Sequence, residues 1–185
     1  SGLHGGHYGE DIHRGKGNEI TLLTRARLAL ETSCLIRLGP MSGGSFRLAI
    51  PRDATAVICF PESQAAATKQ IVQEQEQIMS LEFSATGTQL SLFFEPAPRP
   101  DWCVSPDLMF AATMLAPDGI YQMNESLTGL VDTSDNMGEL YLNERELRLV
   151  FEIRSASPSV GNYLYQRICR LATILGGTCE VSKSY

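Results

Sequence analysis

The sequence predicts an α+β fold of two layers, an antiparallel sheet with helices packed on one face. Three observations carry this. Stretches with helical periodicity alternate with pairs of short β-rich runs, whereas a parallel sheet would give single strands between helices. In one run Leu147, Leu149, Phe151 and Ile153 alternate with Arg148, Val150, Glu152 and Arg154, so one strand face is core and the other mostly polar. Two Ser-Pro pairs, Ser105-Pro106 and Ser157-Pro158, are sharp helix starts, with serine as N-cap and proline at the first helical position.

The elements follow in order. Residues 2–15 read as a glycine-rich loop. Asn18 caps a helix in which Ile20, Leu23, Arg27 and Leu30 share a face. "CLIRLGP" is a short strand stopped by Gly39 and Pro40, and "MSGGS" is a turn. "FRLAIPRDATAVICFP" gives two strand segments broken at Pro51, which cannot donate to a ladder. Residues 62–79 are rich in helix formers, with a thin stripe of Ala67, Ile71 and Ile78. "LEFSATGTQLSLFFE" reads as strand, turn and strand around Gly87.

After Ser105, Leu108, Met109, Ala112 and Leu115 mark a helix that stops at "PDG". "GLVDTSDNMGELYL" and "ELRLVFEIRS" are neighbouring strands joined by "NERE". After Ser157 a stripe of Val160, Leu164, Ile168, Leu171 and Leu175 ends at Gly176-Gly177, and "TCEVSKS" returns as a last strand. The Pro-rich stretch 96–102 is the one internal joint. Each side of it holds two helices and several strands, which suggests sub-halves 1–95 and 103–185 built as a duplicated β-α-β-β-α-β unit.

Composition narrows the function. A chain of 185 residues, 43% hydrophobic and 19% charged, can bury a core of ordinary size. A net charge of -6 offers no electrostatic footprint for nucleic acid or an anionic membrane surface. No apolar run reaches the length of a spanning helix, and the glycine- and histidine-rich opening does not read as a signal peptide. The five cysteines are widely spread without a CxxC, which fits reduced thiols in a cytoplasmic protein.

All three histidines, His4, His7 and His13, lie in the opening loop with Glu10 and Asp11. Imidazole with carboxylate suits zinc, but a glycine-rich loop does not pre-position ligands as a helix does. Solvated histidines are a second reading. In a third, Gly5, Gly6 and Gly9 allow close backbone approach and present His7 as a donor. No Walker pattern, G-x-G-x-x-G after a strand, G-x-S-x-G or paired acid/base carboxylates occur. From its chemistry alone the chain is a binding or assembly module without a self-contained catalytic set.

The string "GLHGGHYGEDIHRGKGN" resembles the G-L-x-G-G-H-S-G-x-[DE]-I-H-x-G-x-G-N signature of the Xaa-His dipeptidases, within the superfamily of di-zinc aminopeptidases, carboxypeptidases and carnosinases. "GGSFRLAIPRDATAVI", "GLVDTSDNMGEL" and "FEIRSAS" resemble further stretches of that family, in the same order. Tyr8 stands where the family has serine, and Leu48 where it has asparagine.

The resemblance covers the lid, or dimerisation, domain inserted into the family's catalytic domain. It implies that residues 1–185 are a lid excised from a larger metallopeptidase, whose own first strand would come just before Gly2. It further implies that two zinc ions and the general base belong to the catalytic domain, with no metal ligand in this chain. The implied partners are that catalytic domain, a short peptide such as Xaa-His and, through the lid, a second copy.

Carried over by position, His7 matches the lid histidine that reaches the scissile carbonyl oxygen. Arg154 matches the arginine for the substrate carboxylate, against the alternative of a solvated strand-end arginine. Asn136 matches an asparagine near the substrate, with a turn-forming role before Gly138 as the alternative. His4 and His13 are then structural or solvated. The competing hypothesis is a non-catalytic α+β module that senses a ligand or self-assembles.

Overall fold

The computed structural model describes residues 2–3, 5–86 and 90–181. His4, the turn read at Gly87 and the last part of "TCEVSKS" lie outside these residues. The opening segment is more regular than a loop: a two-residue strand β1 (Gly6–His7), a single-turn helix α1 (Tyr8–Asp11) and a 3₁₀ turn (Ile12–Arg14). Then follow α2 (Glu19–Glu31), β2 (Arg37–Gly43), β3 (Ala49–Ile50), β4 (Ala54–Cys59) and α3 (Ala65–Phe83). Beyond the Pro-rich stretch come α4 (Pro106–Leu115), β5 (Gly119–Met123), β6 (Val131–Leu142), β7 (Leu147–Ser155) and α5 (Pro158–Ile174).

The fold is mixed α+β, as expected. Strands β4, β2, β6, β5 and β7 form one antiparallel sheet in which the long β6 pairs with β2, β5 and β7. This sheet takes strands from both sides of residues 96–102. A separate two-stranded sheet joins β1 to β3. Alternation along the strands sends Leu38, Met41, Met137, Leu140 and Leu142 to one face, where they pack with Ile20 of α2 and Met109 of α4. Leu147, Leu149 and Phe151 of β7 lie against the same cluster. The periodicity of β7 therefore identifies the helix-covered face correctly, and Arg148, Glu152 and Arg154 belong to the other one.

Both Ser-Pro pairs start helices, although neither serine hydroxyl makes the capping bond, and Asn18 caps α2 by accepting from the Ile20 N–H at 3.0 Å. Several other expectations are corrected. β2 runs through Gly39 and Pro40 because a register shift against β4 between Leu38 and Met41 leaves no ladder bond for proline to miss. Gly39 also leaves room for Pro100, whose Cγ would lie 2.9 Å from a Cβ there. Met41, Ser42 and Gly43 are strand as well, and the turn begins at Gly44, with φ of 64°. β3 pairs with β1 and not with its chain neighbour β4.

The apolar face of α3 is one residue off the predicted stripe. Thr68, Val72 and Met79 are buried, whereas Ala67 and Ile78 are exposed. Thr68 is buried on that face with its hydroxyl donating to the Cys34 sulfur at 3.7 Å. Residues 81–83 continue α3, so no strand forms there, and Leu90 packs into the α2–α3 core without one. Strand β5 was not read from the sequence, since its "GIYQM" is mostly exposed and lacks alternation. Thr178–Val181 form no strand. Cys169 and Cys179 are joined as a disulfide, Cα atoms 5.1 Å apart, against the expectation of five reduced thiols. Helix α5 and the return after Gly176 bring together two cysteines that spacing alone did not pair. Among the described residues no helix is long and apolar enough to cross a membrane.

Candidate functional site

The site is built on the face of the sheet opposite the helices. In the β6–β7 register Ser134 faces Arg154 and Asn136 faces Glu152, so these four side chains share that face. The opening segment is laid over them. Tyr8 is fully buried; its phenol lies 2.9 Å from the Ser134 hydroxyl, and its backbone N–H donates to the Leu48 carbonyl at 2.8 Å. Burial pushes the phenol far above its ordinary pKa, so Tyr8 is a neutral anchor. The guanidinium carbon of Arg154 sits 5.5 Å from the centre of the Tyr8 ring, within cation–π range.

Gly9 explains the next position. A Cβ on Gly9 would overlap the Arg154 guanidinium, so only glycine lets that group lie against the loop backbone. Gly6 is similarly tight, because its Cβ would collide with the Asp11 carboxylate. Gly5 adopts φ of 56°, the left-handed region that favours glycine. The three loop glycines thus have distinct physical reasons, two of them close approach.

His7 is exposed at the end of β1, paired with Ala49 and one residue before the Tyr8 anchor. Its backbone N–H donates to Asp11 at 3.1 Å. Asp11 also pairs with Lys16 at 3.0 Å and Arg14 at 3.1 Å. The Lys16 ammonium, first among these partners, holds the Asp11 carboxyl below its usual pKa. Asp11 is thereby the knot that closes the loop behind His7, and its charge is already matched. His13 is exposed in the 3₁₀ turn. Among the described residues no group of three or more His, Cys, Asp or Glu could hold a metal ion.

Asn136 is buried, and its amide donates to the carbonyls of Arg47 and Ala49, both at 2.9 Å. It fastens the β3 segment to β6, and through β3 it fixes β1 and His7. Arg47 in turn pairs with Glu152 at 3.0 Å. His7 and Arg154 are therefore both brought to the Tyr8–Gly9 corner, while Asn136 stands behind β3. Sequence reading missed Tyr8 as a platform, and it missed Ser134, Arg47 and Glu152. Their signal was the alternation of β7 together with Tyr8 itself, a large aromatic inside a glycine-rich loop.

Beside the loop a cleft of about 320 Å³ opens between Lys16, Asn18, Thr21, Asp118 and Asn136. The Asp118 carboxylate ties its walls, accepting from Asn18, Thr21 and the Met137 N–H at 2.9 to 3.1 Å. Behind it, on the helix side of β6, Asp135 is buried with one carboxylate oxygen lacking a partner. Burial, aided by the Asp118 charge, pushes its pKa up to about 7. A carboxyl raised in the folded state costs stability as pH climbs from the ordinary aspartate value of about 4 through about 7. Asp135→Asn is expected to be more stable than the parent by roughly 1–2 kcal/mol at pH 8. The gap should close by about pH 3 to 4 in urea denaturation; a gap independent of pH would show that ionisation of Asp135 is not its source.

No family model matches the chain. Among curated proteins it is similar to the cytosol non-specific dipeptidase of Escherichia coli (strain K12), 27% identical over 187 residues, covering 100% of this chain and 39% of that protein. Among solved structures it superposes on the crystal structure of aminoacylhistidine dipeptidase from Vibrio alginolyticus with a TM-score of 0.87 and 26% identity. That match covers 95% of this chain and 36% of the other. The chain spans a little over a third of the length of each relative. The likeness runs through the segments that build the Tyr8–Arg154 corner, and the chain is a homologue of part of these dipeptidases.

Proposed function

We propose that residues 1–185 are the lid of a cytoplasmic zinc dipeptidase acting on short peptides such as Xaa-His, and that this lid closes over an active site carried by the catalytic domain of the same protein. One observation carries the reading: the exposed His7 immediately precedes the buried Tyr8, whose ring and neighbouring Gly9 carry the Arg154 guanidinium. A donor and a carboxylate-binding fork carried by one segment are what a dipeptide offers partners for. Its scissile carbonyl oxygen and its C-terminal carboxylate are a few bonds apart. Two relatives named as dipeptidases support the substrate class.

In this role His7 donates to the carbonyl oxygen as negative charge develops there, which stabilises the transition state more than the ground state. Arg154 holds the terminal carboxylate bidentately and so fixes the peptide's register. Closure would exclude bulk water and strengthen both contacts. Gly5, Gly6 and Gly9 position the loop, and Asn136 serves substrate binding by holding β3, and with it His7, in place. The described residues do not assemble a site for zinc. The two ions are assigned to the catalytic domain, and the contribution of this chain does not run through them.

The purified 185-residue chain is expected to show no dipeptide hydrolysis, with or without added zinc, while the longer protein that carries it hydrolyses Xaa-His dipeptides. Metal-dependent turnover by the chain alone, measured as release of free histidine, would overturn the reading.

A further inference from the structure

Outside the Tyr8–Arg154 corner the sharpest cluster of reactive groups is a pair of thiols. Cys59 ends β4, paired with Arg37 of β2. Cys103 follows the Pro-rich stretch, beside Val104, which is paired with Leu38 on the other edge of β2. The two cysteines lie 44 positions apart in sequence, yet their sulfurs are 3.0 Å apart. Both are free and only half-buried, so a small reagent can reach them.

The juxtaposition is built into the fold. The Leu38–Val104 pair makes two backbone hydrogen bonds of 3.0 and 2.8 Å, and Pro100 packs against Gly39. The Arg37 guanidinium reaches the Cys103 carbonyl at 3.4 Å. A disulfide is about 2.05 Å long, so the two sulfurs stand about 1 Å beyond bonding distance. The hydrogen bond with Cys103 and burial push the Cys59 thiol up, against the smaller opposing influence of the Arg99 and Arg37 charges. Cys59 is thus the group held as a thiol, and Cys103 is assigned the first attack.

We propose that Cys59 and Cys103 form a reversible oxidation site, closed to a disulfide by a low-molecular-weight disulfide of the glutathione type. The Cys103 thiolate attacks one sulfur of oxidised glutathione, breaking its S–S bond and releasing the first glutathione thiolate. Cys59 then loses its proton and attacks the Cys103 sulfur, forming the Cys59–Cys103 bond and releasing the second. The two cysteines give up two electrons, the oxidant becomes two thiols, and the two protons end on the released glutathiones. The bond would close a loop containing α3 and tether the Pro-rich stretch to β4. Cys34, buried beneath Thr68, takes no part.

The test uses the chain with Cys169→Ser and Cys179→Ser, so that the C-terminal disulfide does not enter the readout. The reduced chain is equilibrated with oxidised and reduced glutathione, then alkylated and mapped by mass spectrometry. The expected result is a linked peptide containing Cys59 and Cys103, a mass lower by two hydrogens, and a Tm higher by roughly 5–10 °C than that of the reduced form. Adding Cys59→Ser should trap glutathione on Cys103 as a stable mixed disulfide; Cys59→Ala serves if that variant does not fold. Glutathione retained on Cys59 or Cys103 of the parent without a linked peptide, or Cys59 linked to Cys34, overturns the proposal. So does the absence of any oxidation.

Discussion

Replacing His7 by alanine in the longer protein is expected to lower kcat for dipeptide hydrolysis roughly 100- to 1,000-fold and to leave KM nearly unchanged. The size follows from the role. A donor aimed at a developing oxyanion is worth about 3 kcal/mol, and little of that is present with the neutral ground-state carbonyl. The structural cost of the substitution should be small, since the His7 side chain is exposed and only its backbone N–H meets Asp11. Steady-state kinetics with a Xaa-His dipeptide check it. A variant whose KM rises while kcat stays level would assign His7 to ground-state binding instead.

Arg154→Ala is expected to act on the other parameter, raising KM about 10- to 100-fold with a smaller effect on kcat. A charge-assisted, bidentate contact to a carboxylate is worth about 1.5–3 kcal/mol, and it is made in ground state and transition state alike. A C-terminally amidated dipeptide supplies the control, since the parent enzyme should bind it weakly and Arg154→Ala should weaken it little further. An equal loss on the free acid and the amide would show that Arg154 only props up the loop. That alternative is a real competitor, because the guanidinium does pack on Gly9 and over the Tyr8 ring. Arg154→Lys separates the two further: it keeps the charge but loses the planar fork.

Much of this corner was legible in the sequence because its parts obey local rules. The alternation of β7 put Arg154 on the face away from the core, and the order of its pairing with β6 is the ordinary outcome of a tight hairpin. Asn18 and the two Ser-Pro pairs announced helix starts through chemistry that needs no tertiary partner. What misled was equally local. Gly39-Pro40 looks like a strand end, yet the bulge there absorbs the proline and Pro100 fills the space over glycine. The stripe of α3 was drawn through Ala67, Ile71 and Ile78 because they are apolar. The neighbours α2 and β4 instead select the face of Thr68, Val72 and Met79.

The sequence by itself determined the α+β class, the helix starts, the polar face of β7 and the glycine-rich composition of the segment that carries His7. Each is decided within a few residues, by side-chain period, capping or backbone freedom. Only the tertiary structure decided which distant residues meet. It set Arg154 on Gly9 and Tyr8, turned Asn136 onto the carbonyls of Arg47 and Ala49, and joined Cys169 to Cys179. It also brought Cys59 within 3.0 Å of Cys103. Such contacts depend on strand register and on how loops cross the sheet, and a single residue of slip between β6 and β7 would send Arg154 to the core face.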